Sequence, residues 1–121
     1  MAPTAFEKAA GRIRVSLSAT RIGSDDLLIV ITGGKAHVGA VAAGTNSGGL
    51  PSSSVITLPG HRDDRIAKDV AERASKRLGC NCAVIAGVHY DDMTGQEIKD
   101  VLIMCSSLMD EMEGAIRTGE L

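Results

Sequence analysis

The sequence predicts an α+β fold, an antiparallel-to-mixed sheet of about five strands with two helices packed on one face. Three observations predict it. Strand patterns crowd the first half of the chain and helical patterns the second, an order that favours α+β over a doubly wound α/β fold. Ile13, Val15, Leu17 and Ala19 alternate with Arg12, Arg14, Ser16 and Ser18, the period of a strand with one wet face. The stretches 62–79 and 94–114 carry apolar residues at helical spacing instead.

The predicted order is β-β-β-β-α-β-α. Residues 1–11 are small and mixed and read as a flexible tail or a short helical turn. The first strand covers 13–19, and Gly23-Ser24-Asp25-Asp26 closes it as a turn. Residues 27–32 (LLIVIT) form a continuous apolar, β-branched run, the pattern of a strand covered on both faces. Gly33-Gly34 follows and then a second apolar stretch, 36–43. Two strands around Gly-Gly signal a hairpin, because glycine supplies the positive φ of primed turns. Residues 44–54 (GTNSGGLPSSS) read as a mobile loop and 55–58 as a short strand ended by Pro59-Gly60.

The first helix starts near residues 62–64, with Asp63 or Asp64 as its cap and Gly79 at its C-terminal end. Ile66, Val70 and Ala74 form its apolar stripe, and Arg73, Lys76 and Arg77 lie late, as the helix dipole prefers. Residues 82–88 (CAVIAGV) are another apolar strand. Thr94-Gly95-Gln96-Glu97 matches a capping box and opens a second helix striped by Ile98, Val101, Leu102, Cys105, Leu108, Met109 and Met112. The organisation is thus one domain over 12–116, with 117–121 a frayed end.

Length and composition bound the function. The 121 residues fit one core. One Phe, one Tyr and no Trp leave an aliphatic core of modest area per residue. Such a small core is often helped by association, so a homo-oligomer, a dimer first, is expected. A net charge of -2 and scattered basic residues argue against a nucleic-acid binder. No apolar run of about 18 residues exists, so no membrane span is expected. The N-terminal residues lack the apolar core of a secretory signal, and three cysteines are an odd number, so the expected location is a reducing cytoplasm. Cys80-Asn81-Cys82 offers half a zinc site at most, and Cys82 and Cys105 read as core residues.

The polar signal is a pair of His-x-Asp-Asp segments, His61-Arg62-Asp63-Asp64 and His89-Tyr90-Asp91-Asp92, each between a strand and a helix. Two imidazoles with carboxylates suit acid–base work or a metal. The same residues also serve as helix caps and turn-bound histidines. His37 lies after Gly33-Gly34, with Gly39 leaving the strand face bare two residues on, room for a ligand or for a crossing chain. The Gly/Ser stretch offers amides and hydroxyls for a phosphate but lacks the Walker pattern. No Gly-x-Ser-x-Gly elbow is present and no residue is assigned a catalytic role.

Three motifs can then be taken together: Gly33-Gly34-x-x-His37-x-Gly39-Ala40-Val41, Pro59-Gly60-His61-x-Asp63-Asp64-x-Ile66-Ala67 and Gly87-x-His89-Tyr90-Asp91. In that order, over about residues 12–113, the chain resembles the LpdD-like prenylated-flavin chaperone family. The resemblance implies a small non-catalytic accessory protein that binds prenylated FMN or FMN, needs no metal, and helps deliver the cofactor to a UbiD-type hydroxyarylic acid decarboxylase. It also implies a dimeric fold like that of proteasome-assembly chaperones. Carried over by motif, the cofactor-binding candidates are Gly33, Gly34, His37, His61, His89, Tyr90 and Asp91. Two other readings stand beside it: an assembly or scaffold module that binds a protein through an apolar face, and a small metal-dependent enzyme using His37, His61, His89 and Asp91.

Overall fold

The computed structural model describes residues 3–60 and 63–121; the candidate His61 and Arg62 lie outside the described residues. The elements are β1 (Thr4–Ala10), β2 (Ile13–Ile22), β3 (Asp26–Gly34), β4 (Ala40–Ser47), β5 (Leu50–Thr57), α1 (Asp64–Leu78), β6 (Cys82–His89) and α2 (Gly95–Arg117). The class is α+β, and one mixed sheet runs in the order β1-β2-β3-β6-β4-β5.

Alternation decides which side is buried. Val15, Leu17, Ile29, Ile31, Val84, Ala86 and Ala42 point to one face and form a single cluster with Ala67, Val70 and Ala74 of α1 and Leu108, Met109 and Met112 of α2. Both helices therefore lie on that face. α1 covers β4, β5 and β6, while α2 covers β1 and β2. Over the core, Arg73 of α1 reaches the buried Glu113 of α2 at 2.9 Å and also contacts Asp110 and the Ser106 carbonyl. Linking the helices by a paired buried carboxylate fixes their relative position more than it adds stability. α1 ends at Gly79, in the left-handed region with φ 63°, and α2 begins at Thr94 with both bonds of its capping box made.

Four expectations are corrected. First, residues 4–10 are a strand and not a tail, so the sheet has six strands. The segment pairs along its whole length with β2, placing the half-buried Phe6 beside Leu17; its small residues carry too little apolar contrast to reveal the alternation. Second, 117–121 is tied down: the Glu120 amide donates to the Ala115 carbonyl, and Arg21 donates to the carbonyl of the partly buried Leu121.

Third, β3 and β4 are not a hairpin. β6 lies between them, parallel to β3 and antiparallel to β4. The connection over 35–39 crosses the end of β6, with Lys35 N–H donating to His89 O and Gly39 N–H to Ala86 O. The crossing is close enough that a Cβ on Gly87 would lie 1.6 Å from the His37 carbonyl oxygen. Fourth, 44–54 is no loop. It is the β4–β5 hairpin, turned at Gly48-Gly49 with φ of 61° and 82°. Successive positive φ values make a primed turn, so the Gly-Gly rule holds one pair further along the chain. Pro51 sits on the edge strand, where it costs no ladder bond.

Candidate functional site

The parallel pairing of β3 with β6 sets Gly34 beside His89, so both strands end at one edge of the sheet. β5 also runs parallel to β6, but β4 separates them; the motif that follows β5 is therefore not delivered by a neighbouring strand. The residue brought to His89 is His37, from the crossing segment, with ring centroids 6.3 Å apart at 76°. The hairpin tip at 48–49 lies beyond the start of β6, at the opposite end of the sheet, and adds nothing to this edge.

The two aspartate motifs separate in role. Asp63 is 5% exposed and makes no side-chain cap bond to α1. Its backbone, at φ -88° and ψ 3°, is not the extended conformation that aims a capping side chain. Its Oδ1 accepts the Val88 N–H at 3.0 Å, and its Oδ2 meets His37 Nε2 at 3.1 Å. His37 Nδ1 faces the Lys35 carbonyl at 2.8 Å, so the ring is held by acceptors on both sides. The bare face at Gly39 is filled by this carboxylate, since a Cβ there would stand 1.9 Å from Asp63 Oδ2. Asp91 is exposed, with His89 Nε2 at 3.1 Å and Lys35 Nζ at 3.3 Å. The His89 bond, then Lys35, holds its carboxyl below the ordinary carboxylate range.

His37, Asp63 and His89 line a cleft of about 640 Å³ on the helix side of the sheet. Its other walls are Gly60, Arg65, Ile66, Val88, Met93, Ile98 and Val101. Volume and makeup, apolar walls with a few convergent polar groups, match those of small-molecule sites. Among the described residues no group of three His, Cys, Asp or Glu side chains has the spacing to hold a metal ion. The cysteines stand apart: all three are buried, and burial pushes the thiol of Cys82 up to about 11 and that of Cys105 up to about 12.

Gly33, Gly34 and Tyr90 lie elsewhere. They border a shallower depression on the opposite face, with Arg12 and Arg14. The Tyr90 ring rests on the two glycines, where a Cβ at Gly34 would approach it to 3.0 Å. Its hydroxyl accepts the Arg14 N–H and donates to the Arg14 carbonyl, both at 2.8 Å. The Arg12 guanidinium stands 5.8 Å from the ring centroid. Tyr90 thus pins β6 to β2 and is not an open aromatic platform.

Arg12 is the residue that sequence reasoning missed. It donates to Glu97 through Nε at 2.8 Å and Nη2 at 3.1 Å, and to the Asp91 carbonyl at 2.7 Å. It so latches the 90–94 turn, which carries Met93 into the cleft wall. Nothing local marks it, because its partners lie 79 and 85 residues away. The pair with Arg12 holds the Glu97 carboxyl at about 2, against an ordinary 4.5. A carboxylate depressed in the folded state stabilises the fold above the unfolded value and ceases to as pH falls towards the folded one. Thermal unfolding of the wild type is therefore expected to drop between about pH 4.5 and 2, and Arg12→Ala to flatten that drop. A melting temperature equally steep in both proteins would refute the latch.

No helix among the described residues is long and apolar enough to cross a membrane. Comparison with known proteins agrees with the fold and with the motifs. A crystal structure of a chaperone complex for yeast 20S proteasome assembly superposes with a TM-score of 0.63 over 94% of this chain and 98% of that one. At 14% identity the likeness is one of fold. Protein LpdD of Lactiplantibacillus plantarum is 33% identical over 89 residues, which are 69% of this chain and 63% of that relative, less than two thirds of its length. The model of the prenylated flavin chaperone LpdD-like domain matches residues 9–117. The chain belongs to this family of prenylated flavin chaperone LpdD-like domains.

Proposed function

We propose that the cleft at His37 and His89 receives a flavin-type cofactor, prenylated FMN or FMN, and that the protein hands it to a UbiD-type hydroxyarylic acid decarboxylase. The observation that carries the reading is the joining, in a prenylated flavin chaperone family member, of two histidines at a strand edge with an apolar wall of Ile66, Val88, Met93, Ile98 and Val101. The flat apolar ring system suits that aliphatic wall. The polar rim and the anionic side chain suit His37, His89 and Arg65. His61, beside Gly60 in the sequence, belongs to the same candidate set, and Asp91 sets the position of His89. Gly33, Gly34 and Tyr90 support the site from behind through the sheet and make no contact with the ligand in this reading. The bound group's chemistry belongs to the recipient decarboxylase. This chain binds it, orients it and limits its contact with water.

Purified protein mixed with FMN or prenylated FMN and then desalted is expected to retain flavin absorbance. His89→Ala is expected to weaken binding by about tenfold, the loss of one hydrogen bond to a charged group, and His37→Ala to weaken it through the loss of its ring from the cleft wall. Folded wild-type protein that retains neither flavin would overturn the proposal. The added decarboxylase should then take up the flavin that the chaperone loses.

A further inference from the structure

β5 is one edge of the sheet, and among the described residues no strand pairs with its outer side. One bond fixes the direction of its free groups. Leu58 N–H donates to the Gly39 carbonyl, so Ile56, Ser54 and Ser52 also turn their backbone groups towards β4, because antiparallel pairs alternate. The N–H groups of Ser53, Val55 and Thr57, and the carbonyls of those residues and of Pro51, therefore point away from the sheet. Exposed edges invite another strand, and proteins blunt them with charge. The opposite edge is blunted in this way: β1 carries Glu7 and Lys8, and Lys8 reaches Glu111 of α2 at 3.3 Å. Residues 50–57 (LPSSSVIT) carry no charge, and Pro51 interrupts the row of donors only at its start. Charge lies beside this edge instead, on α1. Ser53 Oγ donates to Glu72 Oε1 at 2.9 Å, and Pro51 borders the same depression as Lys76. Four helical residues rise about 6 Å and two strand residues about 6.7 Å. Lys68, Glu72 and Lys76 thus stand in a row beside Val55, Ser53 and Pro51. Glu72 is already held by the Ser53 hydroxyl and lies 3.9 Å from Lys68. Lys76 is exposed and has no ion pair among the described residues.

We infer that this edge takes up an extended segment of another protein as an added strand, one with two carboxylates four residues apart on its helix side and apolar residues on its other side. The spacing follows from the lysines. Lys68 and Lys76 are eight helical residues apart, roughly 12 Å, the reach of about four strand residues. A small hydroxyl residue between the two carboxylates avoids repelling Glu72. The apolar side of the added strand meets Ile56 and Leu50, which are 66% and 76% exposed. Main-chain bonds to Ser53, Val55 and Thr57 supply the affinity, and the two ammonium groups select the partner. Charge also argues against this chain as its own partner. A second copy's β5 would bring no carboxylate to the lysines, and its β1 a single one beside a lysine. Lys68, Glu72 and Lys76 are not in the wall of the His37–His89 cleft, so the inference is independent of the proposed function.

The probe is an end-capped peptide, Val-Glu-Val-Ser-Val-Glu-Val, added to the full chain at about 1 mM, the range of weak peptide binding. Hydrogen exchange at the Ser53, Val55 and Thr57 amides should slow, while the Ser54 and Ile56 amides, already bonded to β4, stay as they were. The same peptide with Lys in place of both Glu residues should bind about tenfold more weakly. Lys68→Glu combined with Lys76→Glu should reverse that order of affinity; both side chains are exposed, so the fold is kept. Val55→Pro removes an outward N–H and no bond to β4, and it should abolish binding of the acidic peptide. Unchanged exchange at the three amides would overturn the proposal. So would equal affinity for the two peptides. Slow exchange at the same amides in the protein alone would assign the edge to a second copy and overturn it as well.

Discussion

Gly87→Ala is expected to lower the stability of the protein by about 3 kcal/mol or more. The added methyl would meet the His37 carbonyl carbon at 2.5 Å as well as its oxygen, and both belong to backbone fixed by bonds at Lys35 and Gly39. Neither segment can yield alone, because β6 is paired with β3 through His89 and the crossing segment is bonded to β6 at both ends. Relief requires lifting the crossing segment, which removes His37 from Asp63. Gly114→Ala is the control. That glycine is inside α2 with nothing within 4 Å of an added Cβ, so alanine should stabilise by about 0.5–1 kcal/mol. Urea unfolding of the three proteins measures both. A Gly87→Ala protein within about 1 kcal/mol of wild type would mean that the crossing is looser than described.

These two glycines show where the sequence is legible. Class and helices follow from periodicity, since α1 and α2 each present one clean stripe and the ends carry Gly79 and the Thr94–Glu97 box. Strand existence follows from alternation in β2 and from apolar runs in β3 and β6. Strand neighbours do not. Gly33-Gly34 looks like a hairpin turn because local sequence records the need for small residues and not its cause. Here the cause is the close approach of the Arg14 and His89 carbonyls together with the Tyr90 ring, at Gly39 it is the Asp63 carboxylate, and at Gly87 it is a backbone crossing. The Gly/Ser stretch misleads in the opposite sense: hydroxyl residues suit a solvent-facing edge hairpin as well as they suit a loop.

The site divides along the same line. His37 and His89 could be named from motifs, but their partnership depends on β6 inserting between β3 and β4, a long-range pairing with no local mark. Asp63 was visible as a residue and hidden as a role. A helix-capping aspartate and a buried bracket between two strands share one sequence context. What separates them is the vacated edge of β6 at Val88, where β4 has already ended and the amide needs an acceptor.

Asp63→Ala should therefore cost about 2–4 kcal/mol, leaving the Val88 N–H without its acceptor and His37 without one of its anchors. Asp63→Asn is the informative variant. Its carbonyl oxygen still accepts from Val88, while its amide turns a donor towards His37 Nε2, which must then accept. Stability should fall by only about 1 kcal/mol. Flavin retention should fall towards that of His37→Ala, because the His37 ring at the cleft wall is no longer held by a carboxylate. Urea unfolding separates the two substitutions, and ring nitrogen chemical shifts of His37 report which atom bears the proton. If Asn costs as much stability as Ala, the bracket works through charge and not through the Val88 bond. If Asn leaves both stability and flavin retention untouched, Asp63 has no part in positioning His37, and the cleft must be held by the Lys35 carbonyl and the remaining surroundings of that ring.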